Sequence, residues 1–233
     1  MHSDSILFVG DIQGCATELE ALLEKAQYRP DRHRLIPVGD VINRGPQSAE
    51  ALLLLKSLGA EPLLGNHELK LLEALKNPAR ASWLERQALS RDLLPHPAFA
   101  ELEAWIRRWP LFLREPGFVA VHGGIHPCLP LEATPASFLA FVRVCTPDGR
   151  MPNAEEWDGG NETIQRAYRP WHAYYLGEAP VIYGHWARQG WNQTRNTWCL
   201  DTGCVYGKVL TGLWFPSFTP VVVPSVRSPR KDG

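Results

Sequence analysis

The sequence predicts an α/β fold in which polar side chains gather at one edge of a sheet. Six short apolar runs each end in Gly, Asp, Asn or His, as buried strands do when they deliver polar residues to the loops. Amphipathic helices alternate with these runs through the first third of the chain, and two more apolar runs close it.

The first third alternates between the two element types. Residues 6–9 form an apolar run, and residues 15–28 carry leucines at helical spacing, so we expect a strand and then a helix. The run at 33–40 predicts a second strand, followed by a helix at 48–59. The run at 60–68 predicts a third strand that leads into another helix.

The rest of the chain predicts three more central strands and a closing antiparallel pair. Two less periodic stretches, rich in Arg, Trp and Pro, are interpreted as helical or loop insertions that cover the site. We expect residues 1–224 to form one domain and residues 225–233 to form a flexible tail. The expected strands lie within 118–124, 179–186, 198–204, 208–215 and 219–225, and the insertions lie around 80–115 and 130–175.

Composition narrows the range of functions. The chain has 233 residues and a net charge of −1, which argues against non-specific binding to DNA or to an acidic membrane. No stretch approaches the roughly 18 apolar residues of a membrane span, and no signal peptide is recognisable. The five cysteines form no CxxC pair, which favours reduced thiols in a cytoplasmic protein. The sequence does not indicate an oligomeric state.

Five segments, each at the end of an apolar run, carry the chemistry. Among their side chains, two carboxylates, an amide and two histidines would suit a pair of divalent ions with one Asp shared between them. A single Gly-Asp pair is uninformative, whereas the five segments in this order are highly specific. The segments are Gly10–Gly14, Gly39–Gly45, Gly65–Glu68, His122–Gly124 and Gly184-His185.

The series resembles the metallophosphoesterases, or calcineurin-like phosphoesterases, with their D-x-H, G-D-x-x-[DN]-R-G, G-N-H-[ED], H-G-G and G-H motifs. Three later stretches are similar to the bacterial symmetrical diadenosine tetraphosphatases of the ApaH type: RVCTPDGRM, RPWHAYYLGEAPVIYGHWA and CLDTGCVYGKVLTGL. The resemblance covers about residues 5–215. It implies a β-sandwich of mixed sheets flanked by helices in αββα layers, with the metal site at the carboxyl ends of strands.

The resemblance also implies roles for individual residues. A first metal would be held by Asp11 and Gln13, with Asp40 as the bridge to a second. His67, paired with the carboxylate of Asp40 or Asp11, would be the general acid, and Arg44 would bind a phosphate oxygen. The second metal would be completed by Asn66, His122 and His185, and further substrate contacts would come from Arg143, Trp186 and Tyr206.

The reaction implied is the hydrolysis of diadenosine tetraphosphate to two ADP, by in-line attack of a hydroxide shared between the two ions. The small-molecule substrate would be a dinucleoside polyphosphate, and Mn²⁺ is the expected ion, with Co²⁺, Fe²⁺ or Mg²⁺ as alternatives. Two other functions stay open. One is a phosphoprotein phosphatase that uses the same metal pair, and the other is a non-catalytic nucleotide-binding module with a degraded first metal site.

Several residues have a purely structural interpretation beside the functional one. Gln13 stands where the motif has His, so its amide is either a metal ligand or a cap for the following helix. Trp186 either packs or lines the nucleotide pocket, and Asp201 is favoured as a turn residue over a catalytic one. Aromatic residues within 157–191, with Tyr174 and Tyr175, are a hypothesis for base recognition.

Overall fold

The computed structural model describes residues 5–153 and 167–228. No helix within these residues is long and apolar enough to cross a membrane. The helices are α1 (Ala16–Lys25), α2 (Ser48–Ser57), α3 (Asn66–Lys76), α4 (Ala81–Glu85), α5 (Phe99–Ile106) and α6 (Ala136–Phe141). The strands are β1 (Ile6–Val9), β2 (Arg34–Pro37), β3 (Phe112–Glu115), β4 (Phe118–Val121), β5 (Val144–Cys145), β6 (Arg169–Pro170), β7 (Val181–Tyr183), β8 (Asn192–Gln193), β9 (Thr197–Cys199), β10 (Val209–Phe215) and β11 (Thr219–Pro224).

The strands form two mixed sheets and a small ribbon. The first sheet has the order β11-β10-β1-β2, with β1 parallel to β2 and antiparallel to β10. The second has the order β3-β4-β7-β9-β8, and its central strands β4, β7 and β9 are parallel. The ribbon joins β5 to β6. The carboxyl ends of parallel strands meet at one edge of each sheet, which is where loop residues can converge.

The two sheets pack face to face and are covered by helices. Phe8 of β1 meets Phe118 of β4 edge to face, with ring centroids 5.1 Å apart, inside a core that both sheets share. The outer face of the first sheet is covered mainly by α1 and α2, and that of the second by α6 and Trp171. These layers confirm the calcineurin-like αββα sandwich expected from the sequence.

The prediction of a third strand in the run at 60–68 is wrong. Residues 60–65 run beside β2, and the N–H groups of Glu61 and Leu63 donate to the carbonyls of Leu35 and Pro37, but the segment is not a strand. Pro62 lacks an N–H, which limits regular pairing there. Conversely, β3 lies within the stretch interpreted as an insertion and pairs with β4.

The beginning of the expected flexible tail is attached to the fold. The hydroxyl of Ser225 and the N–H of Val226 both donate to Glu18 Oε1 on α1, at 2.9 and 3.0 Å. Residues 229–233 lie outside the described residues, as do residues 154–166 of the second insertion.

Candidate metal centre

The carboxyl ends of five parallel strands deliver the polar side chains of the site. Asp11 follows β1 and Asp40 follows β2 in the first sheet. In the second sheet His122 follows β4, His185 follows β7 and Asp201 follows β9. Because the sheets pack against each other, these five buried side chains meet at a single edge of the sandwich.

The loops that carry these side chains are held in an unusual backbone conformation. Five residues other than glycine have positive φ here: 46° at Gln13, 49° at Asp40, 77° at Asn43, 62° at Arg44 and 71° at His185. Each costs roughly 1–3 kcal/mol, and such strain persists only where the surroundings hold it. Its concentration around one cavity marks that cavity as functional.

Two glycines allow the ligand loops to approach one another. A Cβ atom on Gly184 would lie 2.2 Å from Asp11 Oδ1, and one on Gly65 would lie 2.2 Å from Asp40 Oδ1. Both distances are far inside van der Waals contact. The Gly residues of the Gly-His and Gly-Asn-His motifs therefore make room for the carboxylates.

Unprotonated atoms of His122, His185 and Asn66 converge on one point. His122 Nδ1 lies 2.9 Å from the carbonyl of Val38, and His185 Nε2 lies 3.0 Å from that of Phe141, so each neutral ring carries its proton there. The opposite ring nitrogens face Asn66 Oδ1, at 3.2 Å from His122 Nε2 and 2.7 Å from His185 Nδ1. Three lone pairs that face each other form a ligand set for a cation.

Asp40 adds negative charge to these donors. One ligand atom each from Asp40, His122 and His185 lie within 4.8 Å of one another, and Asp40 Oδ1 is 3.3 Å from His122 Nε2. Burial raises the pKa of Asp40, but the imidazoles of His122 and His67 more than offset this and hold it below its usual value. Asp40 in turn raises the pKa of His122 against the effect of burial, as expected at a position that attracts positive charge.

Asp11 has a buried oxygen whose charge is not compensated by hydrogen bonds. Its Oδ1 accepts the N–H of His185 at 3.0 Å, whereas Oδ2 has no hydrogen-bond partner among the described residues. Burial, with the charges of Asp201 and Asp40, raises the pKa of Asp11 well above its usual value. A buried carboxylate oxygen that no hydrogen bond satisfies is a suitable ligand for a divalent cation.

Asp201 belongs to the site, which the sequence interpretation as a turn residue did not predict. Its Oδ1 does accept the N–H of Gly203 at 3.1 Å, as a turn residue would. The side chain is also buried, lines the central cavity and has a pKa raised to about 6, chiefly by burial. Its position after β9, in register with β7 and Gly184-His185, is the signal that could have identified it.

A cavity of about 220 Å³ opens above these residues. Asp11 and His122 lie buried next to it, with exposed fractions of 4% and 0%. The other residues expected at the site line it directly: Gln13, Asp40, Arg44, Asn66, His67, Arg143, His185, Trp186 and Tyr206.

Gln13 faces the cavity and does not cap the helix that follows it. Its Nε2 donates to Asp40 Oδ2 at 3.4 Å, which places the amide beside the shared carboxylate. α1 begins after Cys15, and no described side chain makes a capping hydrogen bond to its first turn. The amide oxygen is therefore the atom of Gln13 that could act as a ligand.

His67 lies next to the ligand set. Burial lowers the pKa of His67 to about 4, helped by the charges of Arg44 and Lys70, while Asp40 opposes the shift. His67 Nε2 lies 3.6 Å from Asp40 Oδ2, and the backbone N–H of His67 donates to Asp40 Oδ1 at 2.9 Å. This is the pairing with a carboxylate that the resemblance implies.

Cationic and aromatic groups line the open side of the cavity. Arg44 Nη1 donates to the hydroxyl of Tyr206, and the Arg44 guanidinium lies 5.4 Å from the centre of that ring. Arg143 Nη2 donates to the carbonyl of His185 at 3.4 Å. Trp186 lines the cavity and also packs against Val144. The two guanidinium groups make this side of the cavity positively charged, as binding of an anion would require.

The aromatic residues expected to recognise bases are not all near this cavity. Tyr174 and Tyr175 line a separate cavity of about 540 Å³ that also involves Phe118 and Leu176. Trp157 lies outside the described residues.

The buried Glu68 carboxylate holds the backbone of two loops of the site, a role that the sequence did not predict. Oε2 accepts the N–H groups of Asp40 and Gly65, at 3.0 and 2.9 Å. Oε1 accepts those of Val41 and Ile42, at 2.9 and 3.2 Å. Burial and Asp40 raise the pKa of Glu68 to about 7, and the backbone donors oppose this rise.

Known proteins resemble the chain over most of its length. The model of the family described as calcineurin-like phosphoesterase matches residues 5–189. The symmetrical bis(5'-nucleosyl)-tetraphosphatase of Aromatoleum aromaticum is 32% identical, over 90% of this chain and 93% of that protein. The enzyme of the same name from Methylococcus capsulatus is 30% identical, over 90% of this chain and 91% of that protein.

Two solved structures are similar to the fold of this chain. The crystal structure of a candidate diadenosine tetraphosphatase superposes with a TM-score of 0.78 at 28% identity, covering 96% of this chain and 95% of that one. A metallophosphoesterase from Sphaerobacter thermophilus has a TM-score of 0.57 at 15% identity, with 97% and 90% covered. At that identity the second likeness concerns the fold alone.

Proposed function

The chain belongs to the calcineurin-like phosphoesterase family, and on that premise we propose that it hydrolyses dinucleoside tetraphosphates symmetrically. The preferred substrate is diadenosine tetraphosphate, which with one water gives two ADP. The observation that carries this proposal is the convergence of buried ligand atoms from Asp11, Asp40, Asn66, His122 and His185 beneath a cavity rimmed by arginines. Relatives named for this activity, each covered over about nine tenths of its length, support the choice of substrate.

The family implies divalent metal ions, and the donors described above fit them. We propose that Asp11 and Gln13 would hold a first ion, that Asn66, His122 and His185 would hold a second, and that Asp40 would be a ligand available to both. Mixed oxygen and imidazole donors suit Mn²⁺, with Co²⁺, Fe²⁺ or Mg²⁺ as alternatives. Such ions supply positive charge that polarises phosphoryl oxygens and acidifies a water molecule.

The residues around the ligands perform the remaining steps. Arg44 and Arg143 bind phosphate oxygens and orient the inner phosphoryl group, because a guanidinium offers paired donors in a fixed plane. In its imidazolium form, which the nearby Asp40 carboxylate favours, His67 gives a proton to the oxygen that leaves with ADP and becomes the neutral ring. Tyr206 holds Arg44, and Trp186 lines the path of the nucleotide. Phosphoanhydride cleavage depends on such positioning more than on covalent chemistry.

We also propose that the protein works in the cytoplasm. Nucleotide substrates are abundant there, and cysteines such as the buried, unpaired Cys145 and Cys199 stay reduced.

The test compares substrates directly. Purified protein with Mn²⁺ is given diadenosine tetraphosphate in one reaction and Ser/Thr phosphopeptides in another, and both initial rates are measured. We expect turnover of the dinucleotide at far lower enzyme concentration than is needed for any phosphopeptide.

Two results would contradict this proposal. Rapid phosphate release from phosphopeptides without turnover of the dinucleotide would favour the phosphoprotein phosphatase. Metal binding with no hydrolysis of either substrate would favour the non-catalytic module.

A further inference from the structure

A second cavity, of about 260 Å³, lies beside α3, the helix that carries His67. We call it the Trp83 cavity. None of the residues that line it belongs to a sequence motif of the metal centre. The described lining residues are Lys70, Glu73, Ala74, Arg80, Trp83 and Phe141.

Helix α3 and Phe141 connect this cavity to the metal centre. His67, Lys70 and Ala74 follow one another at helical spacing along one face of α3. His67 lines the central cavity, and the other two line the Trp83 cavity. With a rise of about 1.5 Å per residue, the helix axis advances about 10 Å from His67 to Ala74. The carbonyl of Phe141 lies 3.0 Å from Nε2 of His185, so the two cavities are neighbours.

Two aromatic side chains line this cavity without joining the hydrophobic core. Trp83 and Phe141 are both half-buried. Within the described part of the chain, neither belongs to a cluster of buried apolar residues or packs against one, whereas Leu84 and Leu139 do. An aromatic ring that lines a cavity and does not pack into a core is available to a ligand.

Lys70 places a positive charge between the two cavities. Its Nζ lies 5.5 Å from the centre of the Phe141 ring. Burial lowers the pKa of Lys70, and the charge of Asp40 opposes this shift. The charges of Arg44 and Arg143 lower the pKa further. Lys70 therefore lies within the electrostatic field of the metal centre.

The other charged residues on the described wall of the Trp83 cavity neutralise each other. Glu73 pairs with Arg80, with an N···O distance of 3.3 Å. The Lys70 ammonium group is thus the cation of this wall that can bind a phosphate oxygen.

The proposed substrate extends beyond the central cavity. That cavity measures about 220 Å³, less than the roughly 300–1,000 Å³ that enclose a drug-sized ligand. In each ADP half of the substrate, the α-phosphate and the ribose separate the phosphoryl group at the point of cleavage from the base. A base must therefore bind next to the metal centre and not within it, with the α-phosphate between the two.

The cavity lined by Tyr174 and Tyr175 is less suited to this base. It includes Phe118, which begins β4, whereas His122 follows the carboxyl end of the same strand. That cavity and the metal centre therefore lie at opposite ends of β4.

We propose that the Trp83 cavity is the subsite for one nucleobase of the substrate, where Trp83 stacks on the base and Lys70 contacts the α-phosphate. Aromatic side chains stack on bases, and an ammonium group binds phosphate as a point charge. The inference deepens the proposed function and rests on it for the identity of the substrate.

The informative substitutions separate base binding from phosphate binding. Trp83→Leu removes the aromatic face, and Trp83→Phe keeps one as the conservative rescue. Trp214→Leu is the matched control, because Trp214 is also half-buried but its ring contacts His33, with ring centroids 4.7 Å apart. Lys70→Gln removes the charge, and Lys76→Gln is its control in the last turn of the same helix.

The first readout is equilibrium binding to the full chain with Mg²⁺, measured by calorimetry. ADP is compared with pyrophosphate, which offers the two phosphates without the base. We expect Trp83→Leu to raise the Kd of ADP at least about fivefold and to leave that of pyrophosphate within about twofold, because only stacking is lost. Lys70→Gln should raise both Kd values at least about fivefold, because a charged hydrogen bond to phosphate is lost.

The controls and the rescue decide whether these losses are specific. Trp83→Phe, Trp214→Leu and Lys76→Gln should bind ADP within about threefold of the wild type. Unchanged ADP binding in Trp83→Leu, an equal loss of pyrophosphate binding in that variant, or an equal loss of ADP binding in Trp214→Leu would overturn the base subsite. Unchanged binding of both ligands in Lys70→Gln would overturn the phosphate contact.

The second readout is the split between kcat and KM with diadenosine tetraphosphate and Mn²⁺. We expect Trp83→Leu to raise KM at least about fivefold at nearly unchanged kcat, because a base far from the cleaved bond is held equally in the ground state and the transition state. A lower kcat at unchanged KM would contradict this. If the wild type did not hydrolyse the dinucleotide at all, the proposed function would fail, and the comparison of ADP with pyrophosphate would still decide whether the Trp83 cavity binds a base.

Discussion

Gln13 is the residue at which this chain departs from the metallophosphoesterase pattern. It shares the strained backbone of the other site loops and contacts Asp40, so its place matches that of a ligand. We predict that Gln13→His binds Fe²⁺ more tightly, since an imidazole nitrogen suits this ion better than a neutral amide oxygen does. Metal titration by calorimetry measures this. Equal or weaker binding in the variant would make Gln13 a turn residue only.

Asp40 and His67 have distinguishable roles although they touch. We predict that Asp40→Asn loses metal and activity together, because the variant removes the charge shared by both ligand groups. His67→Ala should keep its metal content and lose roughly 10²–10⁴-fold in kcat, the usual contribution of a general acid. Elemental analysis beside initial rates separates the two. Loss of metal from His67→Ala would refute its assignment as the acid.

Glu68 shows how one helix stabilises the geometry of two loops. It sits in the first turn of α3 and accepts four backbone N–H groups from the Asp40 loop and from Gly65. We predict that Glu68→Ala lowers the free energy of unfolding by about 3 kcal/mol or more, because four backbone N–H groups lose their acceptor.

Chemical denaturation measures this loss, and Glu73→Ala provides the control on the same helix. Glu73 pairs with Arg80 at 3.3 Å in an exposed position, so its removal should cost less than about 1 kcal/mol. Similar losses in the two variants would contradict the role given to Glu68.

At the level of elements, the sequence predicted strands best where apolar runs end in functional residues. β1, β2, β4 and β7 lie within their expected runs, as do the closing strands β10 and β11, whereas β9 begins one residue before the run at 198–204. The run at 60–65 resembled them in composition, but its backbone is not paired as a strand. The half-buried β3 was missed because its pairing with β4 is set by tertiary contacts and not by its own pattern.

At the site, sequence motifs predicted the residues whose side chains line the cavity or face the ligand set. The residues that support them depend on contacts between distant parts of the chain, which the motifs do not show. Nothing near Glu68 in the sequence says that its carboxylate meets Val41 and Ile42. Likewise, Gln87 lies outside every motif, and its amide oxygen accepts a hydrogen bond from Asn43, whose side chain contacts His67. Such residues cannot be identified from the neighbouring sequence, because their partners are distant in the chain.

At the level of the whole molecule, the metal centre lies where the two sheets and their loops join. Asp11, Asp40 and Asp201 are all buried there. Burial raises the pKa of Asp11 and of Asp201; the charges of Asp201 and Asp40 raise that of Asp11 further, and the charge of Asp40 raises that of Asp201 further. We predict that Mn²⁺ at about 100 times its dissociation constant stabilises the fold by about 2.7 kcal/mol, and that chelation reverses this. Thermal unfolding with and without chelator measures it. A melting temperature that does not respond to Mn²⁺ in the wild type would contradict a buried metal centre.

The product of cleavage tests the central claim most directly. Diadenosine tetraphosphate is incubated with the Mn²⁺-loaded protein, and the nucleotides are resolved by chromatography, with Asp40→Asn as the inactive control. Symmetrical hydrolysis by this site predicts ADP as the sole nucleotide product. AMP together with ATP, or no product that depends on Asp40, would contradict it.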